Sequence, residues 1–190
     1  MADLGRGIGL VSATDVGAVE PSRECVAALV VPHLDFVGRL LRHLGTPEAD
    51  VEDLMQTALS VAVERLDDIR PGCERAFLAQ TAVRLAAGTR RARARTREVP
   101  TDDLPEVADG RPTPDELWEK RQGFAALHTI LDDMAAELRA VFVLFEIEEM
   151  TTVEIAGVLQ IPQGTVASRL RRGREVFLGR VRALHAGGRP

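Results

Sequence analysis

The chain has 190 residues, enough for one ordinary domain or two small ones. Hydrophobic residues make up 45%, charged residues 28% and aromatics only 4%, with one Trp, no Tyr and a formal net charge of -5. This soluble, Leu/Ala/Val/Arg/Glu-rich mix argues for helices and against an antiparallel sandwich, and no apolar run reaches the eighteen or so residues that span a bilayer.

Residues 1–23, beginning "MADLGRGIGLVSATDVGAVE", lack a basic segment followed by a sustained apolar core. They read as a disordered tail rather than a signal peptide, which places the protein in the cytoplasm. Cys25 and Cys73 stand alone, without C-x-x-C or paired-His spacing, and read as buried or idle cytosolic thiols. The four histidines are scattered. With no acid/base pair, nucleophile setting or metal cluster in view, the chain reads as a non-enzyme that needs no cofactor and no metal.

The first helical block covers 24–97. "CVAALVVPHLDFVGRLLRHLG" carries Leu29, Leu34, Val37, Leu40, Leu41 and Leu44 at helical spacing, with Pro32 as an early break and Gly45 as the stop. "TPEADVEDLMQTALSVAVERL" predicts a second helix with Thr46 as N-cap and Pro47 at the first helical position. Its apolar stripe runs through Val51, Leu54, Met55, Ala58, Leu59, Ala62, Val63 and Leu66. "DDIRPGC" is a turn, and "ERAFLAQTAVRLAAGTRRARARTR" a third helix, apolar in its first half and basic in its second.

Residues 98–113 break the pattern. The stretch "EVPTDDLPEVADGRPTP" (Glu98 to Pro114) holds four prolines, the last of which opens the next block, and five acids without helical periodicity, and reads as a flexible acidic linker. The second block covers 114–185, with 186–190 as a tail. "PDELWEKRQGFAALHTILDDM" predicts a helix with Leu117, Trp118, Phe124, Leu127, Ile130 and Leu131 inward, followed by "AAELRAVFVLFEIEEM" with Leu138, Val141, Phe142 and Phe145 on one side.

The last stretch, "TTVEIAGVLQIPQGTVASRLRRGRE", carries the most information. Thr151 and Glu154 fit a capping box, and Ile155, Val158 and Leu159 form a buried face. Ala156 is small where a second helix crosses. "QIPQG" interrupts, and a longer helix follows with Val166, Leu170 and Val176 or Phe177 inward. Two helices joined by a tight turn, the second one basic, make a helix-turn-helix that sets its second helix in the DNA major groove. An acidic protein binds DNA when its positive charge is gathered on one face, here Arg169, Arg171, Arg172, Arg174, Arg180 and Arg182.

"LRAVFVLFEIEEMTTVEIAGVLQIPQGTVASRLRRGRE" resembles region 4 of the extracytoplasmic-function (ECF) sigma factors of the sigma-70 superfamily, most strongly at "GTVASRL" after "IP". "VVPHLDFVGRLLRHLG", "ADVEDLMQTAL" and "RAFLAQTAVRLAAGTRRARAR" are similar to region 2. The resemblance covers about Glu24 to Leu184 and implies an all-α fold of two small helical domains on a flexible linker. It implies a subunit that binds core RNA polymerase at the beta-prime clamp and the beta flap and directs it to specific promoters. Region 4 would read the minus-35 element as duplex, and region 2 would open the minus-10 element. Such proteins use no small-molecule cofactor and are often held inactive by an anti-sigma protein.

Carried over by position, Thr165, Ala167, Ser168, Arg171 and Arg172 would lie at the minus-35 major groove, with Arg169 and Arg174 toward phosphates. Arg84, Arg90, Arg91, Arg93, Arg95 and Arg97 would face the minus-10 region. Asp53 and Gln56 would belong to the clamp-binding surface. "DDIRPGCER" occupies the place where the family captures a flipped-out base. The chain departs from the family pattern at Thr57, Phe77, "TAVR" (81–84), Gly88 and Gln160. The first four fall on the clamp and melting surfaces. Two other readings of the same residues are a helix-turn-helix regulator whose first block dimerises or senses, and a sigma-like adaptor that binds polymerase without opening DNA.

Overall fold

Pro32 lacks the N–H that an earlier helix would need, and the chain enters a short 3-10 turn at Val31–His33. In the computed structural model the described residues are 31–96 and 114–187, with the side chains of 114–122 not described. Helix α1 (Leu34–His43) buries Phe36, Val37, Leu40 and Leu41. It ends before Gly45, whose φ of 86° lies in the left-handed region that favours glycine.

Helix α2 (Glu48–Glu64) packs through Val51, Ala58 and Ala62. Its cap differs from the sequence expectation: Pro47, with ψ at 144°, is the N-cap, and no side chain caps the helix. The Thr46 hydroxyl is buried without a partner, while its N–H donates to the Leu41 carbonyl. Thr46 is therefore drawn into closing α1 rather than opening α2. After a 3-10 turn (Leu66–Asp68) and the Pro71-Gly72 turn comes α3 (Glu74–Thr96). Leu78, Ala79, Ala82 and Ala86 form its buried face, and three alanines in that row permit close helix approach.

Helix α4 (Pro114–Asp132) buries Ile130 and Leu131 but leaves Phe124 exposed, against the expectation that it points inward. Leu117 and Trp118 lie outside the described side chains, and Cys25, Leu29, Arg97 and the 98–113 linker outside the described residues. Helix α5 (Ala136–Phe142) continues into one π turn (Val143–Ile147), closed by the Glu148 N–H donating to the Val143 carbonyl at 3.0 Å. The wider turn brings Glu148 to 1% exposure. Glu149 follows at φ 54°.

Helix α6 (Thr152–Leu159) and α7 (Gln163–Gly187) complete the chain. The described residues contain helices and turns and no strand.

The two blocks read from the sequence are in contact. Leu40 and Leu78 of the first belong to the same continuous apolar cluster as Leu144 and Ile155 of the second. Helix α3 packs on α6, and Gln80 Nε2 donates to the carbonyls of Gly157 and Val158, both at 3.4 Å. Arg139 of α5 reaches across to the end of α1, where its Nε donates to the His43 carbonyl at 2.6 Å. Gly45 makes room for it, since a Cβ there would collide with the Arg139 guanidinium.

Candidate nucleic-acid interface

Helix α6 begins with a complete capping box. The Glu154 N–H donates to Thr151 Oγ1, and the Thr151 N–H donates back to Glu154 Oε2 at 2.7 Å. The Thr151 hydroxyl also donates to Glu154 Oε2 at 2.7 Å, and this bond, followed by that from the Thr151 N–H, holds the Glu154 carboxyl below the usual carboxylate range. Ile155 and Val158 are buried beneath the helix.

Gln160 ends α6 in the left-handed conformation, φ 54° and ψ 45°, and its N–H donates to the Ala156 carbonyl. The Ile161 N–H donates to the same carbonyl at 3.1 Å. Three residues later α7 starts, tied to the start of α6 by Gln163 Nε2 donating to Thr152 Oγ1 at 2.9 Å. The angle between the two helices is thus fixed at both ends.

Helix α7 sorts its side chains by face. Val166, Leu170 and Gly173 are buried, at the i, i+4, i+7 spacing of one helix face. Gly173 lets the Phe142 ring lie close, and Phe142 stacks on Phe177 with ring centroids 5.0 Å apart. On the opposite face Ala167, Ser168, Arg171 and Arg172 are exposed, with Thr165 and Arg169 half-buried beside them. The Ser168 hydroxyl donates to the Thr165 carbonyl at 3.0 Å and keeps lone pairs free. Arg171 pairs with Glu175 at 2.9 Å, an exposed i, i+4 bridge that contributes only about 0.3–0.5 kcal/mol and yields easily to phosphate or base.

Arg174 behaves differently. Its Nε donates to Glu146 at 2.6 Å, and its guanidinium lies 5.2 Å from the centre of the Phe145 ring. It is turned onto the body of its own unit. Arg180 is likewise bridged to Asp133 at 3.2 Å.

The residues expected at the minus-10 side run along the second half of α3. Arg84, Arg90, Arg91 and Arg95 are exposed. Arg93 is half-buried and bridged to Asp50 of α2 at 3.1 Å. Asp53 and Gln56 are both exposed on α2. The structure thus leaves the expected residues on three separate surfaces, one on α7, one on α3 and one on α2.

Residues 124–176 match the family described as "Sigma-70, region 4". Over 175 residues the chain is 31% identical to the "ECF RNA polymerase sigma factor SigE" of Mycolicibacterium smegmatis, covering 92% of this chain and 67% of that protein. The chain belongs to the extracytoplasmic-function sigma factors of the sigma-70 family. A further relative, the "RNA polymerase sigma-E factor" of Streptomyces coelicolor, is 34% identical over 139 residues, covering 73% of this chain and 75% of its own.

The sigma-factor fold is shared with solved structures. The sigma factor RpoE of Bartonella quintana, solved with the anti-sigma factor NepR, superposes with a TM-score of 0.64 at 18% identity over 80% of this chain and 94% of that one. CnrH, solved with the cytosolic domain of CnrY, gives 0.63 at 25% identity, covering 84% and 89%. As a sigma factor, the chain directs RNA polymerase to promoters. Among the described residues no helix is long and apolar enough to cross a membrane.

Sequence reading missed one functional-looking centre. Glu148 is buried between Arg39 of α1, Arg75 of α3 and His43, at 3.3, 3.6 and 4.0 Å. Nothing in the acidic run "EIEEM" distinguishes this carboxylate from its exposed neighbours. Only the π turn, invisible in the apolar spacing, selects it.

Proposed function

We propose that α7 reads the minus-35 duplex and that the arginine-bearing half of α3 holds the minus-10 region while it opens. The observation that carries this reading is the face sorting of α7, with Val166, Leu170 and Gly173 docked and Ala167, Ser168, Arg171 and Arg172 presented outward. Thr165 and Ser168 sit in the first turns of α7, the part that a helix-turn-helix motif aims at base edges. Ser can serve either kind of base edge and Arg favours guanine. Arg169, and Arg174 after release from Glu146, serve phosphates. Arg84, Arg90, Arg91 and Arg95 make the sequence-tolerant, salt-sensitive contacts of a backbone grip, with Arg93 shared with Asp50.

Asp53 and Gln56 are the proposed contacts with the beta-prime clamp, and residues 114–185 the unit that meets the beta flap. Residues 24–97 and 114–185 are the two functional units, with 98–113 as the tether. The chain works in the cytoplasm beside the polymerase and carries out no reaction of its own. The neighbour solved with the anti-sigma factor NepR supports an anti-sigma protein as a further partner.

The test is reconstitution with core polymerase, followed by sequencing of the bound promoters and run-off transcription. A stable complex and discrete transcripts are expected. No complex, or a complex that yields no transcript on any genomic template, would sink the reading.

A further inference from the structure

Glycine inside a helix loosens it, because the chain gives up more freedom there than at any other residue. Two needs within a fold justify one: a left-handed backbone, or a neighbour too close for a Cβ. Gly45 meets the first, at φ 86°. Gly38 and Gly173 meet the second, against Met55 and Phe142. Gly88 meets neither. It stands in the middle of α3 without a positive φ, and a Cβ built on it would find nothing within 4 Å.

Four other helical glycines, Gly123, Gly157, Gly164 and Gly179, also have open space around them. Their surroundings differ in charge. Residues three and four places apart adjoin on a helix surface. Of these five glycines, only Gly88 has an arginine at such a place on both sides, Arg84 before it and Arg91 after it. Gly88 lies about 6 Å along the axis from Arg84 and about 4.5 Å from Arg91, at 1.5 Å per residue. Arg95 extends the same row.

The charges of this row are kept available. Arg84, Arg91 and Arg95 are exposed, and among the described residues no carboxylate bridges them. Arg93, on the opposite face by helical spacing, is the arginine tied to Asp50. The remaining neighbours of Gly88 stay low on the surface. Leu85 packs against the core, and Ala92 carries only a methyl group. Two long cationic forks therefore stand on either side of bare backbone. An anion resting on that backbone can take hydrogen bonds from both forks, and a side chain at position 88 would hold it off. The guanidinium fork matches the oxygens of phosphate. A row that continues to Arg95 suits a chain of phosphates better than a single small anion.

We propose that Gly88 is the floor of a phosphate seat: the promoter backbone lies directly on α3 there, and Arg84 and Arg91 close on one phosphate from both sides. The inference rests on the proposed function, which gives this half of α3 to the minus-10 region, and it adds the point of closest approach. Gly88 acts as a positioning residue, admitting the phosphate that the two arginines bind. It is also a position where the chain departs from the family pattern, so the seat belongs to this chain in particular.

The test uses the reconstituted holoenzyme on a promoter recovered by sequencing, with Gly88→Ala and Gly88→Leu beside the wild type. Both replacements favour helix, so the free variants are expected to unfold at higher urea than the wild type. Opened bases at the minus-10 element, read by a single-strand probe at fixed salt, are expected to fall about threefold with Ala and about tenfold with Leu, the loss of one charge-assisted contact. Protection of the minus-35 element is expected to stay unchanged. Stability and opening then move in opposite directions, which a merely structural residue would not produce. Loss of both together would make Gly88 a packing residue and overturn the seat. Arg84→Ala with Arg91→Ala separates the remaining outcomes. If that pair abolishes opening while Gly88→Leu opens like the wild type, the seat is overturned and the proposed function stands. If neither change affects opening, the reading of α3 as the minus-10 face fails, and the seat with it.

Discussion

Arg171 and Arg172 carry the sharpest expectation at the scale of single residues. Both stand outward on α7, and only a weak exposed bridge occupies Arg171. Replacing either by Ala should cost about 1–3 kcal/mol of base discrimination at one position of the minus-35 element. Binding selection with each variant checks this, and an unchanged base preference in both would contradict the groove assignment. Two other residues break the backbone rules in opposite senses. Gly88 lies inside α3, and a Cβ there meets nothing within 4 Å, so Gly88→Ala should stabilise by about 0.5–1 kcal/mol. Gln160 occupies a left-handed cap, and Gln160→Gly should gain about 0.5–1 kcal/mol after the added freedom of the unfolded chain is subtracted. Urea melts at neutral pH measure both, and losses at both sites would contradict this backbone account. The Thr151–Glu154 box was legible in the sequence because its chemistry is local, while Gln160 stood out only as a departure from the family pattern. Glu148 was not, because its meaning comes from two arginines that are 109 and 73 positions away.

Among the helices, α3 was drawn from the sequence almost to its ends, because a turn before it and the acidic proline-bearing stretch after it leave little room for error. Helix α7 was read only as a longer helix after the "QIPQG" break and in fact begins inside it, at Gln163. Two residues were misread: Thr46 was assigned to cap α2 but is used to close α1, and Phe124 has the spacing of a core residue but is exposed. The π turn after Phe142 was not foreseen, although Val141 and Phe142 are buried and Phe145 packs on the core as expected. The basic half of α3 permits an expectation at this scale. Arg90→Ala with Arg91→Ala should weaken DNA binding nearly uniformly across sequences and make the salt slope shallower by about two. Arg93→Ala should change the slope less, because Asp50 already shares its charge. A wild-type slope in the double variant would count against phosphate contact by this helix.

For the whole molecule, the sequence announced two helical units and a tether but gave no sign of how closely the units pack. Such a joint is assembled from the ends of elements. The His43 carbonyl at the end of α1 meets Arg139, and the His43 ring stacks on His128 of α4 at 5.4 Å. This joint should be sensitive to acid. Burial, reinforced by repulsion from His128, Arg39, Arg139 and Arg42, lowers His43 to about 4. His128 is lowered too, chiefly by burial, although Asp132 opposes the shift. When unfolded, both protonate near 6.5. The unfolded chain therefore binds more protons below that pH, and stability that is complete above about 6.5 declines as the pH falls toward 4. The loss is up to about 1.4 kcal/mol per pH unit for His43, and smaller for His128, whose partial exposure lets solvent screen the effect. Thermal midpoints between pH 7.5 and 5 check this. His43→Asn should flatten the curve, and a wild-type midpoint that is flat across the range would contradict it.

The central claim is that one molecule, seated on polymerase, grips a promoter at two separated places. Footprinting of the reconstituted holoenzyme on a promoter recovered by sequencing tests it most directly, with a single-strand probe for opened bases. The account expects protection at two separated patches, at the minus-35 and the minus-10 elements, with opened bases only at the downstream one. Arg171→Ala should weaken only the upstream patch. A single palindromic footprint, made by the chain without polymerase and with no opened bases, would contradict it.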